Sequence, residues 1–119
     1  MSDRQISPVV SAIWLFMASS YALAESQSQY AEKAHESWQQ QNESTDRSYS
    51  RLLSEAEAEP SPEQAQQLRQ AKERWDKFQN LFCKSVSKTY GGQWSSVHES
   101  ECRMKLEKQL QDTVESYAW

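Results

Sequence analysis

The chain has 119 residues, two glycines, two cysteines and a formal net charge of −4. That length holds one domain, and the acidic balance excludes a general nucleic-acid binder and does not favour an anionic-membrane binder. Two cysteines are too few for a disulfide-scaffold miniprotein or a four-cysteine zinc site. A hydrophobic share of 37% with so little glycine and proline favours a lean α-helical domain.

Residues 1–24 read as a secretory signal peptide. Arg4 supplies a weak positive start, an apolar stretch runs over residues 8–18, and Ala22-Leu23-Ala24 is an A-x-A cleavage site before Glu25. The apolar stretch is short for a membrane span, which takes about 20 residues. An uncleaved anchor is the alternative. The expected product is a secreted or periplasmic protein, residues 25–119, without membrane attachment after cleavage. In an oxidising compartment Cys83 and Cys102 are most simply one disulfide. A redox-active pair is the rival reading, but such pairs usually sit close in sequence, as in C-x-x-C.

After Glu25 the β-branched residues are Thr45, Val86, Thr89, Val97, Thr113 and Val114, with no isoleucine, so helices are expected and strands are not. Helix one is expected over residues 28–57. Ala31, His35, Trp38, Asn42, Thr45, Tyr49, Leu52 and Ala56 recur at steps of four and three, a heptad seam whose middle is polar. Asn42 and Thr45 imply either a buried polar contact or a solvated stretch.

Ala58-Glu59-Pro60-Ser61-Pro62 breaks the helix. Ser61 can cap helix two, with Pro62 at its first position and Gln64 closing a capping box. Helix two carries Ala65, Leu68, Ala71, Trp75, Phe78 and Phe82 as its expected core seam. The short connection predicts an antiparallel hairpin with helix one. Helix two should fade near Lys88, before Gly91-Gly92. Ser96 and Glu99 form a second possible capping box. Helix three then presents Cys102, Leu106, Leu110, Val114 and Tyr117 on one face. The expected fold is all-α, a small antiparallel hairpin or three-helix domain stapled by Cys83–Cys102.

Little in the chain points to catalysis. His35 and His98 lie on different helices without metal-ligand spacing, the acidic residues read as solvated faces, and the serines lie outside any G-x-S-x-G elbow. No catalytic residue, metal or cofactor is expected. The aromatic residues say more. Tyr90 and Trp94 flank the glycine pair in a constrained connection, where large aromatics make binding anchors. Alternatively, Trp94 folds over the start of helix three as a local staple.

Leu68-Arg69-Gln70-Ala71, then Trp75, Phe78 and Cys83, then Gly91-Gly92 and Cys102 resemble the LprI-like lysozyme-inhibitor family. In that family a helix bearing L-R-x-A-Q-x-x-W leads to a cysteine, a glycine pair and a second cysteine. Tyr49, Leu52 and Leu53 look like its helix-one Y-x-x-L-L segment. The resemblance spans roughly residues 37–110. Lys72 replaces the family's Gln, Gln79-Asn80 replace its Arg-Asp, Asn42 and Thr45-Asp46 replace its Asp and Leu-Asn, and its upstream cysteine pair is absent. The resemblance implies a non-catalytic protein that binds and occludes a lysozyme-type peptidoglycan hydrolase, an acidic domain steered to a basic enzyme. Tyr90, Gln93 and Trp94, with Glu99 and Glu101 nearby, are the expected contact residues. The alternative is an envelope interaction module or an immunity-type protein with another protein partner.

Overall fold

The computed structural model describes residues 3–117, with side chains from residue 26 onward. The expected signal peptide and its cleavage site therefore lie outside the described side chains. Three helices account for the fold, α1 (Asp3–Glu57), α2 (Glu63–Tyr90) and α3 (Ser95–Glu115), with a 3-10 turn at Gly92–Trp94. The described residues are all-α. Helix α1 starts well before the expected residue 28. Nothing between Ala22 and Ser28 is a glycine or proline, so no local signal stops the helix there.

The breaks fall where backbone chemistry requires them. Helix α1 ends at Glu57, short of Pro60, as the restriction on residues preceding proline demands. Helix α2 starts at Glu63 with Pro62 in the cap position, one residue later than expected, and Ser61 Oγ accepts the Glu63 amide at 3.3 Å. Gln64 is exposed and makes no capping bond. The second expected box is also absent. Helix α3 begins at Ser95 with Trp94 at its cap and no side-chain capping bond, because Glu99 is held by Arg103 Nη2 at 2.8 Å instead.

The two glycines of the α2–α3 turn do different work. A Cβ on Gly91 would lie 2.4 Å from Ser87 O and 2.6 Å from Ser95 Cα, so the turn closes only because that side chain is missing. Gly92 has φ +54° with open space around its Cα. A side chain there meets a conformational penalty and no clash. Gly92→Ala is expected to cost about 1 kcal/mol, read from denaturant midpoints. An unchanged midpoint would refute the strain argument.

Side-chain partners give the topology. Tyr49 on α1 reaches Leu68 on α2, and Asp46 reaches Lys72, so these helices run antiparallel as the short connection predicts. Thr45 meets Glu107 and Ser48 meets Glu115, so α1 and α3 run parallel. Helix α3 packs along α1 more extensively than α2 does, which makes α1 and α3 the main interface.

The expected seam of α1 is buried or half-buried except at His35, but on α2 and α3 the buried positions differ from those expected. Tyr49, Ala65, Cys83, Val97 and Val114 form the apolar core, but Thr45, Gln79, Ser87, Ser100 and Glu107 are equally buried. On α2 the inward face runs through Ala65, Gln79, Cys83 and Ser87, while Ala71, Phe78 and Phe82 face solvent. The bond from Cys83 to Cys102 fixes this rotation: Sγ–Sγ is 2.11 Å and Cα–Cα 5.5 Å, so Cys83 must point at α3. Its neighbours one turn away on the same face, Gln79 and Ser87, are carried inward with it. On α3 the expected face is shifted likewise. Val114 is buried and Leu106 and Leu110 are half-buried, but Tyr117 is exposed and Glu107 sits at the centre.

Candidate partner-binding site

At the middle of the bundle the polar seam of α1 finds its partners. Thr45 Oγ1 donates to the Glu107 carbonyl at 3.0 Å or to Gln41 O at 2.9 Å. Gln79 Nε2 donates to Glu107 Oε1 at 2.8 Å and to Arg103 O at 3.0 Å. Of the two readings of Asn42 and Thr45, the buried polar contact holds for Thr45. Glu107 Oε2 has no partner, and burial pushes this carboxyl above its usual range, with Lys72 and the Gln79 bond pulling it partly back. Lys72 itself lies 2.6 Å from Asp76 and 3.2 Å from Asp46. Burial alone would lower its pKa, but the two carboxylates outweigh that and raise it. Tyr49 donates its hydroxyl to Leu68 O, and burial raises its pKa.

Arg103 ties all three helices at the level where the grooves open. Its guanidinium stands 4.9 Å over the Trp38 ring of α1, donates to Asn80 of α2 and pairs with Glu99 of α3. The i,i+4 spacing of Glu99 and Arg103 signals only their pairing on α3; nothing in the spacing points to Trp38 or Asn80.

The five expected contact residues do not form one patch. Trp94 is half-buried and meets Tyr30 of α1 edge to face at 5.9 Å between ring centroids. It therefore ties the turn to α1. Glu99 lines a groove between α1 and α3 together with Ala31, Glu32, His35, Trp38 and Ser96. His35, expected in the seam, is exposed at this groove, 5.4 Å from the Trp38 ring. Tyr90, 83% exposed, and Glu101 lie across the corner in a second groove with Val86, His98 and Lys105. Gln93 is exposed on the turn between the two grooves. The corner thus presents two surfaces, one against α1 and one against α2.

Charge separates the molecule further. Residues 26–46 hold Glu32, Glu36, Glu43 and Asp46 against one base, Lys33. Among the described residues, no group of three or more His, Cys, Asp or Glu side chains is placed to hold a metal ion. No helix among them is long and apolar enough to cross a membrane. The arrangement of grooves, exposed rings and a braced turn is chemistry for docking a protein surface.

No curated protein and no solved structure matches the chain. The lysozyme inhibitor LprI family matches residues 19–111, which include all of α2, the disulfide, both grooves and most of α3. By that match, over most of its length, the chain belongs to the lysozyme inhibitor LprI family.

Proposed function

We propose that this protein is a small secreted or periplasmic binder that inhibits lysozyme-type peptidoglycan hydrolases by covering the enzyme's cleft. Membership of the lysozyme inhibitor LprI family carries this reading. The disulfide fits an oxidising compartment. The contact is the α1–α3 side of the corner, where Trp94 and Tyr30 stand at the turn and Glu32 and Glu99 line the adjoining groove. The acids of residues 26–46 would steer a basic enzyme to this side. The disulfide and the close approach at Gly91 hold the turn in shape before binding, which lowers the entropic cost of docking.

The test is a peptidoglycan lysis assay with several lysozyme classes. Stoichiometric inhibition that weakens as salt rises is the expected result. Trp94→Ala should remain folded and lose inhibition about tenfold or more, as truncation of an interface anchor does. Tyr90→Ala, on the other side of the corner, should inhibit normally. If Trp94→Ala inhibits like the unmodified protein, the contact lies elsewhere. Absence of inhibition at large molar excess over every class would end the hydrolase reading.

A further inference from the structure

Helix α2 turns an apolar ridge to solvent. Phe78 is 50% exposed, Leu81 66% and Phe82 45%, and the Phe78 and Phe82 rings stack at 5.4 Å. At 3.6 residues per turn these three fall within roughly 100° of one another. Arg74, Lys77, Lys84 and Lys88 follow along one edge of the ridge, all exposed. From Lys77 to His98 the sequence contains three lysines and neither Asp nor Glu. The net charge of −4 therefore conceals a division, with an acid-rich stretch at residues 26–46 of α1 and cations of α2 beside exposed rings. Among the described residues Arg74, Lys84 and Lys88 have no ion-pair partner.

We propose that this face of α2 docks on an anionic phospholipid surface. Exposed phenylalanine and leucine on a helix, bordered by long cationic side chains, is the composition of an interfacial helix. The rings enter the headgroup boundary while the lysine stems reach back to phosphate. A second copy of the chain fits less well. Antiparallel pairing of two α2 helices about a two-fold sets the basic edge of one against the same edge of the other. The inference is independent of the hydrolase reading, because it uses neither the α1–α3 groove nor Trp94. It would leave the acidic side of the domain turned away from the lipid.

Co-sedimentation of the full chain decides it, with vesicles of phosphatidylcholine alone and of phosphatidylcholine and phosphatidylglycerol in equal parts. The apolar stretch of residues 8–18 has no charged residue and is flanked by Asp3 and Arg4, so it contributes similarly to both. The ratio of the two partition coefficients therefore isolates the cationic face. The expected ratio is about tenfold or more at low salt, since each lysine near an anionic surface contributes several-fold. It should fall close to one in Lys84→Glu/Lys88→Glu. Phe78→Ser/Phe82→Ser should weaken binding to the anionic vesicles. All four positions are exposed, so circular dichroism should be unchanged. A ratio near one for the unmodified chain overturns the proposal, as does a ratio that both variants retain. A dimer that the phenylalanine variant dissociates would reassign the face to self-association. Retention on immobilised polyglutamate without preference for anionic vesicles would reassign it to an acidic polypeptide.

Discussion

Removing the Cys83–Cys102 bond, by Cys83→Ala/Cys102→Ala or by reduction, is expected to lower unfolding free energy by about 3 kcal/mol. The cysteines are 19 positions apart, and closing a loop of that size restricts the unfolded chain by about this amount. The effect is large against the few kcal/mol that a domain of this size usually has in hand. Half of the buried positions are polar, so apolar burial compensates poorly for the lost crosslink. Cys83 is fully buried, which keeps an attacking thiolate from its sulfur and favours the staple over a redox pair. Denaturant titration of native and doubly substituted protein gives the difference directly. A loss below about 1 kcal/mol would mean that the helices hold the corner without the bond. Because the turn bearing Trp94 lies inside the closed loop, the proposed hydrolase contact implies that the doubly substituted protein loses inhibition before it loses helix content.

The elements themselves were legible because local rules set them. Pro60 and Pro62 interrupt the first helix, Gly91 and Gly92 stop the second, and a count of two leaves one pairing for the cysteines. The rotation of α2 was not legible from hydrophobic periodicity. Phe78 and Phe82 have the spacing and size of core residues, yet Gln79 and Cys83 take their place. The disulfide held the necessary information. Stepping one turn either way from Cys83 gives Gln79 and Ser87, the residues found inside. A buried Gln79 then needs a partner, and Glu107 on α3 meets it. The spatial arrangement of the expected contact residues was hidden for a related reason. Tyr90, Trp94, Glu99 and Glu101 are close in sequence, but the 3-10 turn and the first turns of α3 send them to opposite sides of the corner. Nearness along the chain carried no information about shared direction. Two of the positions that depart from the resembled pattern act on Glu107, Gln79 through a hydrogen bond and Lys72 through its charge.

Glu107→Gln is expected to stabilise the protein near pH 7 by about 1–3 kcal/mol, because it removes a charge that burial penalises. The Glu107 side chain has 0% exposure, one oxygen held by Gln79 and the other without a partner. Burial raises its pKa. From α2, Lys72 opposes that rise and Asp76 adds to it, and the net direction is upward. Folding therefore favours the protonated carboxyl. The stability this group contributes is fully present below its unfolded value, about 4.3, and is lost as pH rises through the higher folded value. The amide is neutral at every pH and escapes that loss, while its carbonyl can still accept from Gln79. The advantage of Glu107→Gln should consequently be largest at neutral pH and shrink toward pH 4. Measuring both proteins by denaturant across that range separates this from general acid effects, because every other carboxylate is common to the pair. A constant difference across pH would show that Glu107 does not change protonation on folding. A variant less stable at pH 7 would show that Lys72, Gln79 and Thr45 together hold the charged carboxylate more strongly than burial penalises it.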